Sequence, residues 1–513
     1  MSDKKLFVTL VRGPIVFKIG ALNNEATPSI AYAYIASYLK KKGYQVAIVD
    51  AIGEGLNRTY PLKDHPGFDC QGLMFDEIIA MIPKASNVIG FSCMFSGEWP
   101  VVKELITQVR RHFPEVLFVG GGEHITALTE YSLYDCPALD VCVQGEGEYS
   151  FHELLETYSE TGSFVNVSGI AYIDKAGQYQ QNENHISGLR DIDDIPWPYW
   201  QEGYLEKFWA LGKSYGIASE RDIPLMFSRG CPYRCTFCSN LRMWNGLYTL
   251  RNVNDVIKEI KYYIERYHVT NLQLYDLTAI IKKSWIVEFC RLMIDNGLKV
   301  KWSLPSGTRS EALDEEVLRL LKNAGCSYVV YAPESASPKT LKNIKKRIDL
   351  DQLTRSVIKA KQLGLTTRIN LIIGFPSETW SDVFLTIFYG LKMAFRGVDE
   401  VPLFIFSPYP GTQIFNELLE TGKVKLNDDY FFKLTSLGSY ISADMVSNNS
   451  NINDRTLLVV RSVFMLLNYT VSYLFHPHRI QRTIRNLFWK TEAATVFEHR
   501  LKDKLKRNRI LRH

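Results

Sequence analysis

The sequence predicts an α/β protein: a doubly wound parallel sheet, then a partial (β/α)6 barrel of TIM type, then a helical C-terminal region. Three observations predict it. Apolar strand-type runs alternate with amphipathic helical stretches from residue 6 to residue 412, the pattern of parallel strands joined by crossover helices. At 513 residues the chain is too long for one ordinary domain. The alternation breaks once, at Asp191-Ile-Asp-Asp-Ile-Pro-Trp-Pro198, a connection of acids and prolines. The expected parts are residues 1–150, a linker with a hairpin over 151–219, the barrel over 220–425, and a helical cap with a basic tail over 426–513. Apolar content of 46% with 22% charge allows ample core, and a net charge of +5 is too mild to name a partner.

In the first part, residues 6–11 read as a buried strand ending at Arg12-Gly13-Pro14. Residues 29–42 carry Ile30, Tyr34, Ile35, Tyr38 and Leu39 at helical spacing and stop at Gly43. Residues 46–50, 88–93, 116–124 and 141–148 hold the next strands, with helices such as 101–113 between them. Ligands of doubly wound sheets bind beyond the carboxyl ends of the strands. Glycines gather there: Gly120, Gly121, Gly122, Gly145 and Gly147. Without a side chain, the backbone can approach a large flat ligand closely. No G-x-G-x-x-G opens the first helix, which disfavours a dinucleotide. Residues 151–158 read as helix. Residues 167–173, with the stretch after Gly177, read as a hairpin.

The alternation resumes after the connection, with an apolar run at 223–227. Residues 254–267 form a helix with Val256, Ile257, Ile260, Tyr263 and Ile264 on one face. Strands are expected at 271–276, ending in Asp276; at 299–304, followed by Arg309; and at 328–335, ending in Glu334-Ser335. A further strand, 366–373, runs into Gly374-Phe-Pro-Ser-Glu-Thr379, and a sixth, 401–408, ends in Tyr409-Pro-Gly-Thr412. Helices at 285–296, 315–324 and 353–363 separate them. Polar residues at the carboxyl ends of parallel barrel strands line the active site. Asp276 and Arg309 are therefore candidates for contact with a substrate or cosubstrate, or else members of ordinary salt bridges.

The first barrel strand leads into Cys231-Pro-Tyr-Arg-Cys235-Thr-Phe-Cys238, a C-x3-C-x2-C loop with no fourth cysteine nearby. Three thiolates can hold three irons of a 4Fe–4S cube and leave the fourth iron open to a substrate or cofactor. A structural zinc site closes with four ligands, and the nearest histidines are far off in sequence. A three-ligand zinc loop or a chance grouping is the alternative. Cys70, Cys93, Cys136, Cys142, Cys290 and Cys326 sit singly in apolar stretches and read as buried free thiols.

This loop, following a strand and with an aromatic before its last cysteine, resembles that of the radical S-adenosylmethionine superfamily. The resemblance implies that Cys231, Cys235 and Cys238 ligate the cluster and that Phe237 packs beside it. It also implies that the open iron chelates S-adenosylmethionine, which an electron from the cluster cleaves to a 5′-deoxyadenosyl radical. Glu334-Ser335 stands where the family carries a polar pair near this cosubstrate, although Ala332-Pro333 departs from the usual glycine before it. Gly374 opens a segment that resembles the element packed on adenine. The first part resembles the cobalamin-binding domain that precedes the barrel in one subfamily. The matching segments are Thr27-Pro-Ser29, Gly90-Phe-Ser-Cys93, Gly120-Gly-Gly-Glu-His124 and Gly145-Glu-Gly-Glu148. The cobalamin residues it implies are Ser92, Gly121, Gly122, Glu123, Gly145, Glu146 and Gly147. The D-x-H-x-x-G that gives cobalt a histidine is missing, since Asp64-His-Pro-Gly67 has the wrong spacing, so cobalamin is expected without that ligand. For Glu123 and His124 a structural role is an equal expectation, and a flavodoxin-like domain that binds nothing is the alternative.

The resemblance thus implies an enzyme with one 4Fe–4S cluster, S-adenosylmethionine and cobalamin. The leading activity is methyl transfer to an unactivated carbon of a small molecule, lipids and tetrapyrroles included. A reductase or flavodoxin would donate electrons, and nucleic acid is not expected. Oxidation, cyclisation or ring rearrangement on the same cofactors is the alternative, as in the anaerobic magnesium-protoporphyrin monomethyl ester cyclase. A methylthiotransferase is disfavoured, because Cys93 and Cys142 are too isolated for a second cluster, and a sensor without turnover ranks last. Residues 457–475 are apolar but broken by Arg461 and Asn468, leaving less than the about 20 residues that span a bilayer. Arg479, Arg482, Arg485, Lys490 and a run of cations up to Arg512 follow. A cap over the barrel mouth with a solvated tail is the leading expectation, and peripheral contact with anionic lipid on the inner face of the membrane is the alternative. With no signal-peptide core at the N-terminus and with free thiols, the cytoplasm is the expected location.

Overall fold

Two sheets, one for each half, organise this computed structural model, which describes residues 5–20, 26–183, 191–214, 219–435, 446–488 and 493–510. In the first half the strands are β1 (Phe7–Arg12), β2 (Ile15–Lys18), β3 (Gln45–Asp50), β4 (Thr59–Pro61), β5 (Phe68–Gln71), β6 (Val88–Ser92), β7 (Leu117–Gly121), β8 (Val141–Val143), β9 (Ile170–Ile173) and β10 (Tyr179–Gln181). Seven of them form one sheet in the order β10-β9-β8-β7-β6-β1-β3. β3, β1, β6, β7 and β8 pair in parallel. Helices cover both faces, so Val8, Leu10, Ile89, Phe118 and Val119 are all buried, as parallel strands require. The strand order reverses between β1 and β6, and a crevice opens beyond their carboxyl ends.

The hairpin expected in the linker instead completes this sheet. β9 and β10 run antiparallel, and β9 pairs with β8, matching Val141 to Tyr172. The three residues of β8 would otherwise be an unpaired edge. A second departure is a small antiparallel sheet, β2-β5-β4, which the alternation pattern does not foretell.

The second half adds β11 (Asp222–Leu225), β12 (Ser228–Gly230), β13 (Tyr248–Leu250), β14 (Asn271–Leu274), β15 (Lys301–Thr308), β16 (Cys326–Glu334), β17 (Thr366–Ile373) and β18 (Leu403–Ile405). β11-β14-β15-β16-β17-β18 is an open, wholly parallel six-stranded barrel. Helices follow its strands on the outside. The Val253–Tyr267 helix begins where the Asn252 side chain accepts from the Asn254 and Asp255 amides, and it buries Val256, Ile260 and Tyr263 along one face. β12 and β13 form a short ribbon that carries the cysteine loop.

Among the described residues, the C-terminal helices lie on the flank of the barrel, while Asn449 and Ser450 bond the Phe375 and Pro376 carbonyls at the mouth end of β17. The Asp428–Leu434 helix packs on the first half, with Phe431 edge-on to His124 at 5.2 Å and Asp428 paired to Lys103 at 2.6 Å. The Asp454–Phe475 helix lies beside β18 and the Trp380–Phe395 helix, where Gly390 gives Phe464 room. Beyond it, Arg479 donates to the Gly397 and Val398 carbonyls, and Glu400 accepts from the Phe497 amide at 2.9 Å, at the far end of the barrel. Six strands leave the β18 flank uncovered, and an apolar helix is more stable there than across a polar mouth. Lys490 and Arg512 of the expected basic tail lie outside the described residues.

Candidate functional site

The cysteine loop is fixed from both ends. Gly230, just before Cys231, has φ +77°, and a Cβ there would stand 2.1 Å from the Leu247 carbonyl oxygen, so only glycine fits. Buried Asp276 accepts from the Phe227 amide at 3.0 Å and from the Ser228 amide and hydroxyl at 2.5 and 2.6 Å. Burial pushes its carboxyl up to about 6. Asp276 makes no salt bridge among the described residues: it clamps the backbone where strand becomes loop. The Asn240 amide donates to the Cys231 carbonyl at 2.6 Å, and the Thr236 amide donates to that of Ile344 at 3.0 Å. Burial raises all three thiols, Cys238 to about 12, while Lys346 opposes the rise at Cys231 and Cys235. The site therefore favours thiolate only when cations arrive, and the irons of a cube fit that donor set. Among the described residues no three His, Cys, Asp or Glu form a group for a single ion. A cube differs in giving each cysteine its own iron.

Charges gather beside the thiols. Lys346 Nζ is 3.1 Å from Glu334 Oε1 and 5.9 Å from the Phe237 ring centre. Glu334 ends β16 in the left-handed region, φ +67°, just after a register slip against β17. A glutamate held there is strained, and strain of this kind concentrates at functional positions. Phe237 meets Phe375 edge-on at 5.7 Å. The other two residues expected near the cosubstrate are bonded within the barrel end. The Ser335 hydroxyl bonds Thr386 at 2.9 Å and accepts from the Ser337 amide at 3.1 Å, with no exposed surface. Gly374 is backed by Leu457, which a Cβ would approach to 2.7 Å. Its amide donates to buried Glu378 at 2.6 Å, and burial pushes that carboxyl up to about 7. Arg309 lies 3.6 Å over the Tyr233 ring and pairs with Glu311, so it braces the loop and also forms a salt bridge. Sequence reasoning missed Lys346, since Asn343-Ile-Lys-Lys-Arg347 has no fixed spacing to the cysteines. A cation shortly after Glu334 was its one signal.

A cavity of about 270 Å³ opens beyond the carboxyl ends of β1, β6, β7 and β8. Ser92, Gly121, Gly122, Glu123, Gly145, Glu146 and Gly147 all line it. Gly122 turns the chain at φ +97°, where a Cβ would strike the Cys93 carbonyl oxygen at 2.6 Å. Leu10, Ile35, Phe91, Val119 and Phe151 make the deeper wall apolar, and Met226, Trp244, Tyr275 and Leu277 from the barrel form the roof. The glycine backbone and apolar wall offer a surface on which one face of a flat macrocycle can rest. These roof residues carry no motif and were not legible in the sequence.

The lining contains no histidine. His65 of the Asp64-His-Pro-Gly67 segment, between two strands of the small sheet, meets Phe432 at a tilt, 4.2 Å between ring centres. His124 is buried against Trp99 at 4.7 Å, has Nδ1 3.0 Å from the Ser96 hydroxyl, and is lowered by burial to about 3. Its role is packing. Glu123 links the two halves: its carboxylate accepts from the hydroxyl of Ser239, the residue after Cys238. Arg229, in the strand before the cysteines, reaches Glu146 at 3.0 Å and Glu148 at 2.6 Å.

A model of the Radical SAM superfamily matches residues 225–388, and a model of the B12 binding domain matches residues 24–155. The chain is 28% identical over 413 residues to an uncharacterized methyltransferase of Pyrococcus horikoshii, covering 80% of this chain and 83% of that one. It is 27% identical over 445 residues to the anaerobic magnesium-protoporphyrin IX monomethyl ester cyclase of Rubrivivax gelatinosus, covering 85% and 74%. In fold it is similar to the cobalamin-dependent S-adenosylmethionine radical enzyme OxsB, with a TM-score of 0.66 over 95% of this chain and 74% of that one, at 16% identity.

Proposed function

The chain belongs to the radical S-adenosylmethionine enzymes that carry a cobalamin-binding domain, and from that premise we propose that it methylates an unactivated carbon of a small molecule. Its cofactors are those of the family: a 4Fe–4S cluster, S-adenosylmethionine and cobalamin. When bound, the cluster with its cosubstrate supplies a hydrogen-abstracting radical, and cobalamin supplies the methyl group.

Cys231, Cys235 and Cys238 would hold the cluster on a loop that Asp276, Asn240 and Gly230 keep rigid. Lys346 and Glu334 set opposite charges beside Cys235 and Phe237, which suits the carboxylate and ammonium of an amino-acid cosubstrate. The seven cavity residues of the first half would border cobalamin, and Met226, Tyr275 and Leu277 would keep water from its barrel-facing side. One observation carries the reading. The Glu123–Ser239 bond makes the cavity wall and the cysteine loop neighbours, so a methyl source and a radical source would border one space. The 27% identity to the cyclase favours cyclisation or oxidation as the second reading.

The test uses full-length protein, reconstituted without air, and S-adenosylmethionine labelled in its methyl group, with candidate acceptors. Label in the product, with S-adenosylhomocysteine and 5′-deoxyadenosine formed together, is the expected result. An acceptor consumed with deoxyadenosine but without label would replace the methyltransferase by the second reading.

A further inference from the structure

The Asp454–Phe475 helix is apolar on both its faces, burying Leu457, Phe464 and Met465. Arg461, Asn468 and Ser472 are buried, while Val459, Val463, Leu466 and Leu474 form an exposed stripe at helical spacing. Its neighbour, the Trp380–Phe395 helix, repeats the arrangement: Trp380, Phe384, Phe388 and Phe395 point outward along one face. The two helices run side by side. Leu457 near the start of one meets Gly374 just before the other, Phe464 meets Gly390 at the middle, and Phe475 meets Phe395 at 4.6 Å at the end. The stripes therefore merge into one face. Among the described residues, the four most exposed large apolar side chains all belong to it: Leu474 at 71%, Leu466 at 69%, Phe388 at 66% and Val459 at 61%. A soluble surface does not leave a continuous apolar patch of this kind without an occupant.

Charge identifies the occupant. No aspartate or glutamate occurs between Arg455 and Lys490. On the neighbouring helix and the turn after it, Asp382, Asp399 and Glu400 are buried. Exposed Lys392, Arg396, Arg455 and Arg485 rim the patch, and exposed Ile480 and Ile484 extend its apolar part onto the next helix. An apolar face with an indole and several phenyl rings, edged mainly by cations, with half-buried Asp454 and exposed Asp351 the acids near it, matches the boundary between headgroups and acyl chains of an anionic bilayer.

We propose that this face of the barrel wall docks flat on an anionic membrane surface. The Asp454–Phe475 helix has the length and hydropathy to cross a bilayer. It lies on the surface instead, because Leu457 and Phe464 belong to the barrel core and Arg461 faces inward. The face lies on the outer wall of the barrel, so docking leaves the cavity and the cysteine loop free. The inference is independent of which reaction the enzyme performs.

The test is flotation of the full-length protein with vesicles of phosphatidylcholine alone or mixed with phosphatidylglycerol. Several-fold greater binding to the anionic vesicles is expected, weakening as salt is added. Phe388→Asp and Leu466→Asp should each lower binding about tenfold or more, since a charge would have to enter the acyl boundary. The paired change Lys392→Ala with Arg396→Ala should remove the preference for anionic lipid while leaving the weaker apolar binding. Unchanged iron content and thermal unfolding show that the variants are folded. No flotation of the native protein would overturn the proposal, as would equal flotation of Phe388→Asp. A concentration-dependent dimer that Leu466→Asp dissociates would also overturn it, because a second copy would then own the face.

Discussion

The two halves finish their parallel strands in opposite ways. Beyond the first sheet lies a slot of glycine backbone and apolar side chains, with few charges inside it. Beyond the barrel strands, Lys346 pairs with Glu334 and Arg309 stacks on Tyr233 of the cysteine loop, and both cations act electrostatically on the thiols of Cys231 and Cys235. A slot of the first kind selects its occupant by shape and apolar area, and tolerates polar substitution at the rim. A cluster of the second kind selects by charge, and each member is costly to remove because its partner is left buried. The first half should therefore be sensitive to added volume and the second to altered charge.

The largest expected effect is at the thiols. Changing Cys231, Cys235 and Cys238 together to alanine should abolish iron binding and reduce deoxyadenosine formation to background, read by iron counting and chromatography. Deoxyadenosine production that survives would remove the basis of the comparison. Next comes Lys346→Met. Stranding the Glu334 carboxylate should cost on the order of 3 kcal/mol in denaturant unfolding and raise KM for S-adenosylmethionine at least about tenfold. Lys346→Met with Glu334→Gln should restore stability but not KM. Recovery of both would make the pair structural only.

Gly121→Val tests the shape side. A Cβ at Gly121 meets nothing closer than 4.0 Å, so the fold should accept it while the slot narrows. Cobalamin content, read from the optical spectrum, should fall about tenfold at unchanged iron content. Iron loss equal to the cobalamin loss would mean that the halves are not separable in this way. The smallest effect concerns Glu378, raised by burial to about 7. Its folded form keeps a proton that the unfolded chain releases above about 4.3. Its contribution to stability is thus full at acid pH and is lost as pH rises from about 4.3 to 7, by roughly 4 kcal/mol. Glu378→Gln should flatten that slope in denaturant midpoints, and a wild-type stability that rises over this window would contradict the assignment.

Legibility in the sequence also divided along these lines. The barrel strands, the C-x3-C-x2-C loop and the glycines at the first sheet's strand ends were readable, because each depends on local periodicity or fixed spacing. All seven residues expected around cobalamin line one cavity for the same reason: they sit at strand ends, which topology brings together. Ser335, Gly374 and Asp276 were placed by position, but position does not reveal a hydrogen-bond partner. Their polar groups prove to be engaged by Thr386, Glu378 and the Phe227–Ser228 backbone.

The chain by itself determined its two parallel sheets, their order and its three-cysteine loop, since those follow from side-chain period and the stereochemistry of glycine and cysteine. Tertiary structure alone decided that the hairpin after residue 169 joins the first sheet, that Lys346 stands beside Cys235, and that the last helices line the barrel's flank rather than its mouth. Each of these depends on which buried charge or open strand edge another segment is near enough to satisfy, and sequence distance does not encode that proximity.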